Sequence, residues 1–243
     1  MLPVLERSTY LDLWARRAAE QMVVGTLNST ARTWRQAAAV SMRGGPIYAA
    51  LQRELSGPVG ARVRELVQRN AQLITSLPEK VAALAAQHAA RTAAEGERFN
   101  EQAAELRHVA RWQARLIART ETAKAQSALV QARAEELEVR WYVWRTSEDA
   151  RVRFAHRRMD GVLVMWSDAP SPEQLAHIKS SLGRYNAGGA PNCRCYGEPL
   201  LRLSQVHWPC RVYYAGVIRR MTLADFRQLN HLPAREERLG IAA

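Results

Sequence analysis

The sequence predicts an α+β protein. A helical portion over residues 1–137 leads into a small mixed α+β domain with antiparallel strands over residues 138–243. Three observations carry that reading. Apolar residues recur at helical spacing, with abundant alanine, up to about residue 137. Short runs of β-formers bounded by turn residues begin at Val139. A hydrophobic content of 47% with 24% charged residues is that of a folded globular chain.

The helical portion reads in segments. Leu11, Trp14, Ala15, Ala18 and Met22 mark one buried face of a first helix. Gly44-Gly45-Pro46 breaks that segment and Ser56-Gly57-Pro58 breaks the next. Val59, Val63, Leu66 and Val67 restore the spacing. Ser76-Leu77-Pro78-Glu79 reads as a capping box. It opens a helix carrying Val81, Leu84, Ala85 and His88, which Glu95-Gly96 ends. A long helix is expected over about residues 100–135, with Leu106, Val109, Ala110, Leu116 and Ile117 on one side. Alanine loses no side-chain entropy on folding, which favours helices and close packing.

Near Glu138 the character changes. Val139-Arg140-Trp141-Tyr142-Val143-Trp144 predicts a first strand, its aromatics read as core; beside Arg140 and Arg145 the same rings would alternatively stack on bases or bind a partner. Ser147 is expected to cap a short helix through His156. Asp160-Gly161 is a turn signal, and residues 162–166 predict a second strand. Ser171-Pro172-Glu173 starts a short helix with proline at its first position. Residues 183–192 form a loop with Gly188, Gly189 and Pro191. Strand-like segments follow over residues 196–203 and 211–218, and Thr222 caps a last helix through Leu229.

The net charge of +12 points to polyanions such as nucleic acid. It is diffuse: residues 1–144 carry 20 basic and 14 acidic groups, and residues 145–243 carry 15 and 9. Only Lys80, Lys124 and Lys179 are lysines, so the positive charge is nearly all guanidinium, which suits phosphate oxygens. An arginine-rich genome would produce the same excess. The longest apolar run, Val81 to Ala86, is far shorter than the ~20 residues of a membrane span. The N-terminus lacks a basic stretch ahead of an apolar one, so no secretory signal is read and the chain is expected in the cytoplasm or in a particle assembled there.

Three cysteines, Cys193, Cys195 and Cys210, argue against a disulfide framework. His156, Cys193 and Cys195 are candidate zinc ligands, because zinc favours four-coordinate nitrogen and sulfur sites. Cys210, His207, Asp149 or water would complete the set. The competing reading is a core histidine bonded to the loop, with the cysteines as small packing groups. Asp149, Arg151 and Arg153 read as a fold-stabilising charge cluster, with Glu121 pairing to Arg119 or Arg153. His156 with Cys193 would also suit a base–nucleophile pair. No Gly-x-Ser-x-Gly elbow, His-Glu-x-x-His helix or phosphate-cradling loop accompanies it, so an enzyme is not expected.

The order of these pieces carries further information. Arg119-Thr120-Glu121 is followed by Trp144, then Asp149, Arg151, Arg153 and His156, then Asp160-Gly161, then Asn192-Cys193-Arg194-Cys195. With Leu73-Ile74-Thr75-Ser76-Leu77-Pro78 upstream, the series resembles the Mu F-like phage head morphogenesis family over roughly residues 70–200. The resemblance implies a low-copy minor head protein inside the virion head. Its partners would be the portal protein, capsid or scaffold components and, non-specifically, double-stranded DNA. Its role would lie in assembly and in DNA packaging or delivery. Some relatives carry a C-terminal toxin domain, for which the 43 residues after Leu200 are too few. The alternative reading is a zinc-stabilised nucleic-acid-binding module that works outside a particle.

Overall fold

The computed structural model describes residues 9–40, 49, 51–76 and 99–231. The Gly44-Gly45-Pro46 break, Glu79, the helix from Val81 to His88, and Glu95-Gly96 lie outside these residues.

Three helices form the N-terminal layer: α1 (Thr9–Val40), α2 (Pro58–Thr75) and α3 (Phe99–Glu136), each touching the other two. α1 buries Ala15, Ala19, Val23, Leu27, Ala31 and Trp34, a stripe that repeats every three to four residues. Trp14 is 54% exposed, so this stripe lies one position round from the face that the spacing singled out. Size decides the difference: Ala15 and Ala19 let a neighbouring helix approach where Trp14 would hold it off. Pro58 occupies the first turn of α2, where its missing N–H costs nothing. Ser76 closes α2, and its Oγ donates to Leu73 O at 2.9 Å; the helix it is expected to open lies outside the described residues.

Val23, Leu27, Val59, Leu66, Ala125, Leu129 and Ala132 make the core between these helices. Arg133 is buried within it. Its guanidinium pairs with Glu54, donates to Thr30 Oγ1, and donates to Leu27 O at 3.0 Å. One cation thereby joins α1, α3 and the segment that leads into α2.

The second layer is a five-stranded sheet: β1 (Trp141–Thr146), β2 (Leu163–Met165), β3 (Cys195–Pro199), β4 (Cys210–Tyr214) and β5 (Val217–Met221). Its order is β3-β1-β2-β4-β5, antiparallel except for the parallel β2–β4 pair. Short helices α4 (Phe154–Met159), α5 (Pro172–Leu175) and α6 (Leu223–Leu229) cover it. β1 is buried on both faces. Tyr142 and Trp144 pack on one side with Val164, Tyr213, Trp34 of α1 and Ala134 and Leu137 of α3 and its end. Trp141 and Val143 pack on the other with Leu163, Val212 and Phe226 of α6. The first of these cores crosses residue 137, so the helices and the sheet share it.

Two elements differ from expectation. Residues 147–153 are irregular, and α4 begins only at Phe154. Glu148 takes φ +55°, and the Asp149 carboxylate accepts the Arg151 N–H at 2.9 Å, a side-chain turn that competes with helix. The segment 211–218 is a hairpin rather than one strand. Ala215 and Gly216 take φ +51° and +84°, the two left-handed residues of a tight β-turn.

Candidate metal centre

The face of β1 that carries Trp144 looks onto three side chains from three places. His156 comes from α4, Cys193 from the loop before β3, and Cys195 from the first position of β3. All three are buried, His156 to 1% exposure. Cys193 Sγ lies 3.4 Å and Cys195 Sγ 3.3 Å from the same nitrogen, His156 Nδ1. The three ligand atoms lie within 4.8 Å of one another. In a tetrahedral zinc site with bonds of about 2.0–2.1 Å to nitrogen and 2.3 Å to sulfur, the N···S edge is about 3.5–3.6 Å. The side chains thus stand close to the edges of a metal-ion polyhedron.

The far side of the imidazole is held as a ligand's would be. Tyr185 Oη donates to the Glu173 carboxylate at 2.6 and 2.8 Å, and His156 Nε2 lies 2.9 Å from Tyr185 Oη. Since the phenol hydrogen is engaged by Glu173, Nε2 is the donor to Tyr185. That assignment leaves Nδ1 to face the two sulfurs. Glu173 is itself 5% exposed and lies 3.4 Å from Nε2. Burial and the adjacent Glu173 keep the Tyr185 phenol protonated, far above its ordinary range.

The two thiols share charge unequally. The hydrogen bond from Cys195 lowers Cys193 well below its ordinary range; burial opposes this and His156 adds to it. Cys195 is pushed up, first because its proton is held by Cys193 and then by burial. The buried Trp144 Nε1–H makes no ordinary hydrogen bond, yet it favours thiolate at Cys195. A metal ion would replace the shared proton and take both sulfurs as thiolates.

The residues around the cysteine loop form its frame. Thr120 Oγ1 accepts the Asn192 N–H at 3.2 Å, and Arg153 Nη2 donates to Pro191 O at 2.7 Å. Arg194 pairs with Asp149 and donates to Ser147 Oγ at 3.3 Å, while Ser147 N–H donates to Arg194 O at 2.9 Å. Asn192 takes φ +52°, turning its neighbour Cys193 inward. Gly161, at φ +72°, ends the turn after α4 and donates to Trp144 O at 2.8 Å. Through these contacts Thr120, Asp149, Arg153, Asn192 and Arg194 together hold two sulfurs opposite one nitrogen.

Other expected residues stand elsewhere. Glu121 pairs with Arg69 of α2 at 2.7 Å and Lys124 at 3.0 Å, not with Arg119 or Arg153. Its partner on α2 is not legible in the sequence, because nothing there registers one helix against another. Arg119 and Arg151 are exposed. Among the described residues, none of the proposed fourth ligands joins the cluster. Asp149 is taken by Arg194, and Cys210 belongs to the core on the opposite sheet face, where burial raises its thiol to about 11. Sequence reasoning misses Glu173 and Tyr185, since a four-residue helix and a loop show no periodicity that would mark a buried carboxylate.

The family model described as Phage Mu protein F like protein matches residues 79–197, a span that contains all three candidate ligands and their frame. An uncharacterized protein of Haemophilus influenzae is 34% identical over 88 residues. That stretch is 36% of this chain and 17% of the relative, so the chain spans only a small part of that protein's length. No solved structure matches.

Proposed function

Because residues 79–197 match the Mu F-like phage protein family model, we propose that the chain is a Mu F-like minor head protein placed at the portal inside the capsid. It acts there in assembly and in the packaging or delivery of double-stranded DNA. The single observation behind this is the family match over the span that frames the cysteine loop. The helical layer is the part that docks on the portal or on neighbouring capsid or scaffold components. No helix among the described residues is long and apolar enough to cross a membrane. Quantitative mass spectrometry of purified DNA-filled heads tests the reading. A few copies per head, co-purifying with the portal, are expected; absence from both heads and procapsids would sink it.

We further propose that His156, Cys193 and Cys195 hold a zinc ion with a structural role. The site ties α4 and the cysteine loop to β3 in a region with little regular backbone pairing. The donor set supports zinc, since two soft thiolates and an imidazole suit that ion better than calcium or magnesium. Elemental analysis of protein prepared without chelators should find one zinc per chain, lost in Cys193→Ser together with thermal stability. Metal-free protein with an unchanged melting temperature would remove the site. The same cluster favours the second reading, a zinc-stabilised nucleic-acid module outside a particle, and the count of copies per head separates the two.

A further inference from the structure

Some arginines are engaged in ion pairs: Arg16 with Glu20, Arg62 with Glu65, Arg69 with Glu121, Arg145 with Glu198 and Arg184 with Asp168. Others are exposed and make no ion pair among the described residues, including Arg17, Arg32, Arg64, Arg140 and Arg157. Two more of these, Arg158 and Arg220, lie with Arg211 where α4 meets the β4–β5 hairpin. Arg219 alternates onto the opposite sheet face, beside Val212. Arg211 and Arg220 stand directly opposite each other in the β4–β5 register, on one sheet face. Arg211 reaches over the end of α4, where it donates to Arg158 O at 2.8 Å and to Asp160 O. That bond draws the Arg158 backbone to the same face.

Beside this ridge lies an open groove of roughly 770 Å³, lined by Arg158, His177, Arg184, Asp168, Tyr213 and Ile218. Its one acidic side chain, Asp168, is already neutralised by Arg184. Like charges placed opposite each other across a strand pair destabilise it, and an anionic ligand removes that cost. A simpler explanation, that edge arginines merely guard β5 against pairing with another sheet, accounts for Arg219 and Arg220. It does not account for the groove, nor for the charge of Arg158, whose guanidinium lies over the Phe154 ring at 6.0 Å but meets no carboxylate among the described residues.

We propose that this ridge and groove form a binding surface for the phosphate backbone of duplex DNA, without sequence preference. The inference rests on the head-protein reading and adds to it the place where DNA lies. The cations involved are guanidinium groups, whose planar fork matches phosphate oxygens. Arg158 and Arg220 each take a phosphate; Arg211 chiefly holds the end of α4, and Arg184 is occupied by Asp168 and Tyr213 Oη.

The test uses the full chain and a fluorescein-labelled mixed-sequence duplex, with anisotropy read across a salt series. Wild type is compared with Arg158→Ala/Arg220→Ala and with Arg16→Ala/Arg62→Ala, which removes the same charge from the helices. Melting temperatures confirm that each variant is folded. The groove variant is expected to bind more weakly and to lower the slope of log K against log salt by about 2, each arginine contributing one phosphate contact of about 0.9. The helix variant keeps the wild-type slope. The surface is overturned if wild type does not bind duplex, if the groove variant keeps the full slope, if both variants weaken alike, or if poly-glutamate binds better than duplex at equal salt. Copy number in heads is measured separately, so the head reading can stand when the surface falls.

Discussion

At the scale of single residues, what matters is how closely atoms approach. Gly197, in β3, has no side chain because none fits: a Cβ there would stand 2.6 Å from Trp166 Cη2 and 3.0 Å from Tyr142 Cδ2. Both rings are buried in the core beneath the cysteine loop, so neither can turn aside cheaply. Gly197→Ala is therefore expected to cost about 1–3 kcal/mol, the range of overpacked cores. Urea denaturation measures this, and a change below about 0.5 kcal/mol would show that the rings yield. The same scale governs the candidate ligands. Their identity is legible in the sequence, since His and Cys-x-Cys stand out by chemistry alone. Glu173 and Tyr185 are not, because a carboxylate–phenol–imidazole chain exists only once α5 and a loop meet α4.

At the scale of elements, local chemistry decides most where caps and turns are strong. Thr222 and Asp225 form a reciprocal cap at the start of α6, as the sequence suggests for Thr222, with Asp225 N–H donating to Thr222 Oγ1 at 3.2 Å. Hydrogen bonds from the Thr222 hydroxyl and N–H hold the Asp225 carboxyl below its ordinary value. A carboxyl depressed in the folded state stabilises above its unfolded pKa, and that contribution is lost as pH falls through the folded one. Asp225→Asn should therefore melt below wild type at pH 7, with the gap closing as pH drops below about 4. A gap independent of pH would mean that the cap does not depend on the charge. Where signals are weaker, neighbours override them. Ser147 is a good cap residue, yet its hydroxyl and N–H serve Asp149 and Arg194, and no helix starts there. The strand expected over residues 211–218 is split by a turn whose first residue, Ala215, is not a usual turn former.

At the scale of the whole molecule, the helices and the sheet are one packing unit. Trp34 of α1 is 2% exposed and belongs to the same core as Tyr142, Trp144 and the two cysteines. Trp34→Ala should cost about 3–5 kcal/mol. It should lower the helical and near-ultraviolet aromatic transitions together, because one core supports both. Separate transitions in the wild type would show that the layers fold independently. The three candidate ligands are buried, and both cysteines belong to this core.

By itself the sequence determined the α+β class, the long α3, the strands β1 and β2, the cap of α6 and the likeness to a phage head family. Each of these rests on contacts between residues near in the chain, or on a series of residue types read in order. Only the tertiary structure decided which face of α1 is buried, that Glu121 answers Arg69, and that Glu54 lies against Arg133. It also decided that two sulfurs converge on one imidazole nitrogen. Those facts depend on the register between elements far apart in sequence. That register is set by the shapes of side chains filling a common interior, which no local pattern records.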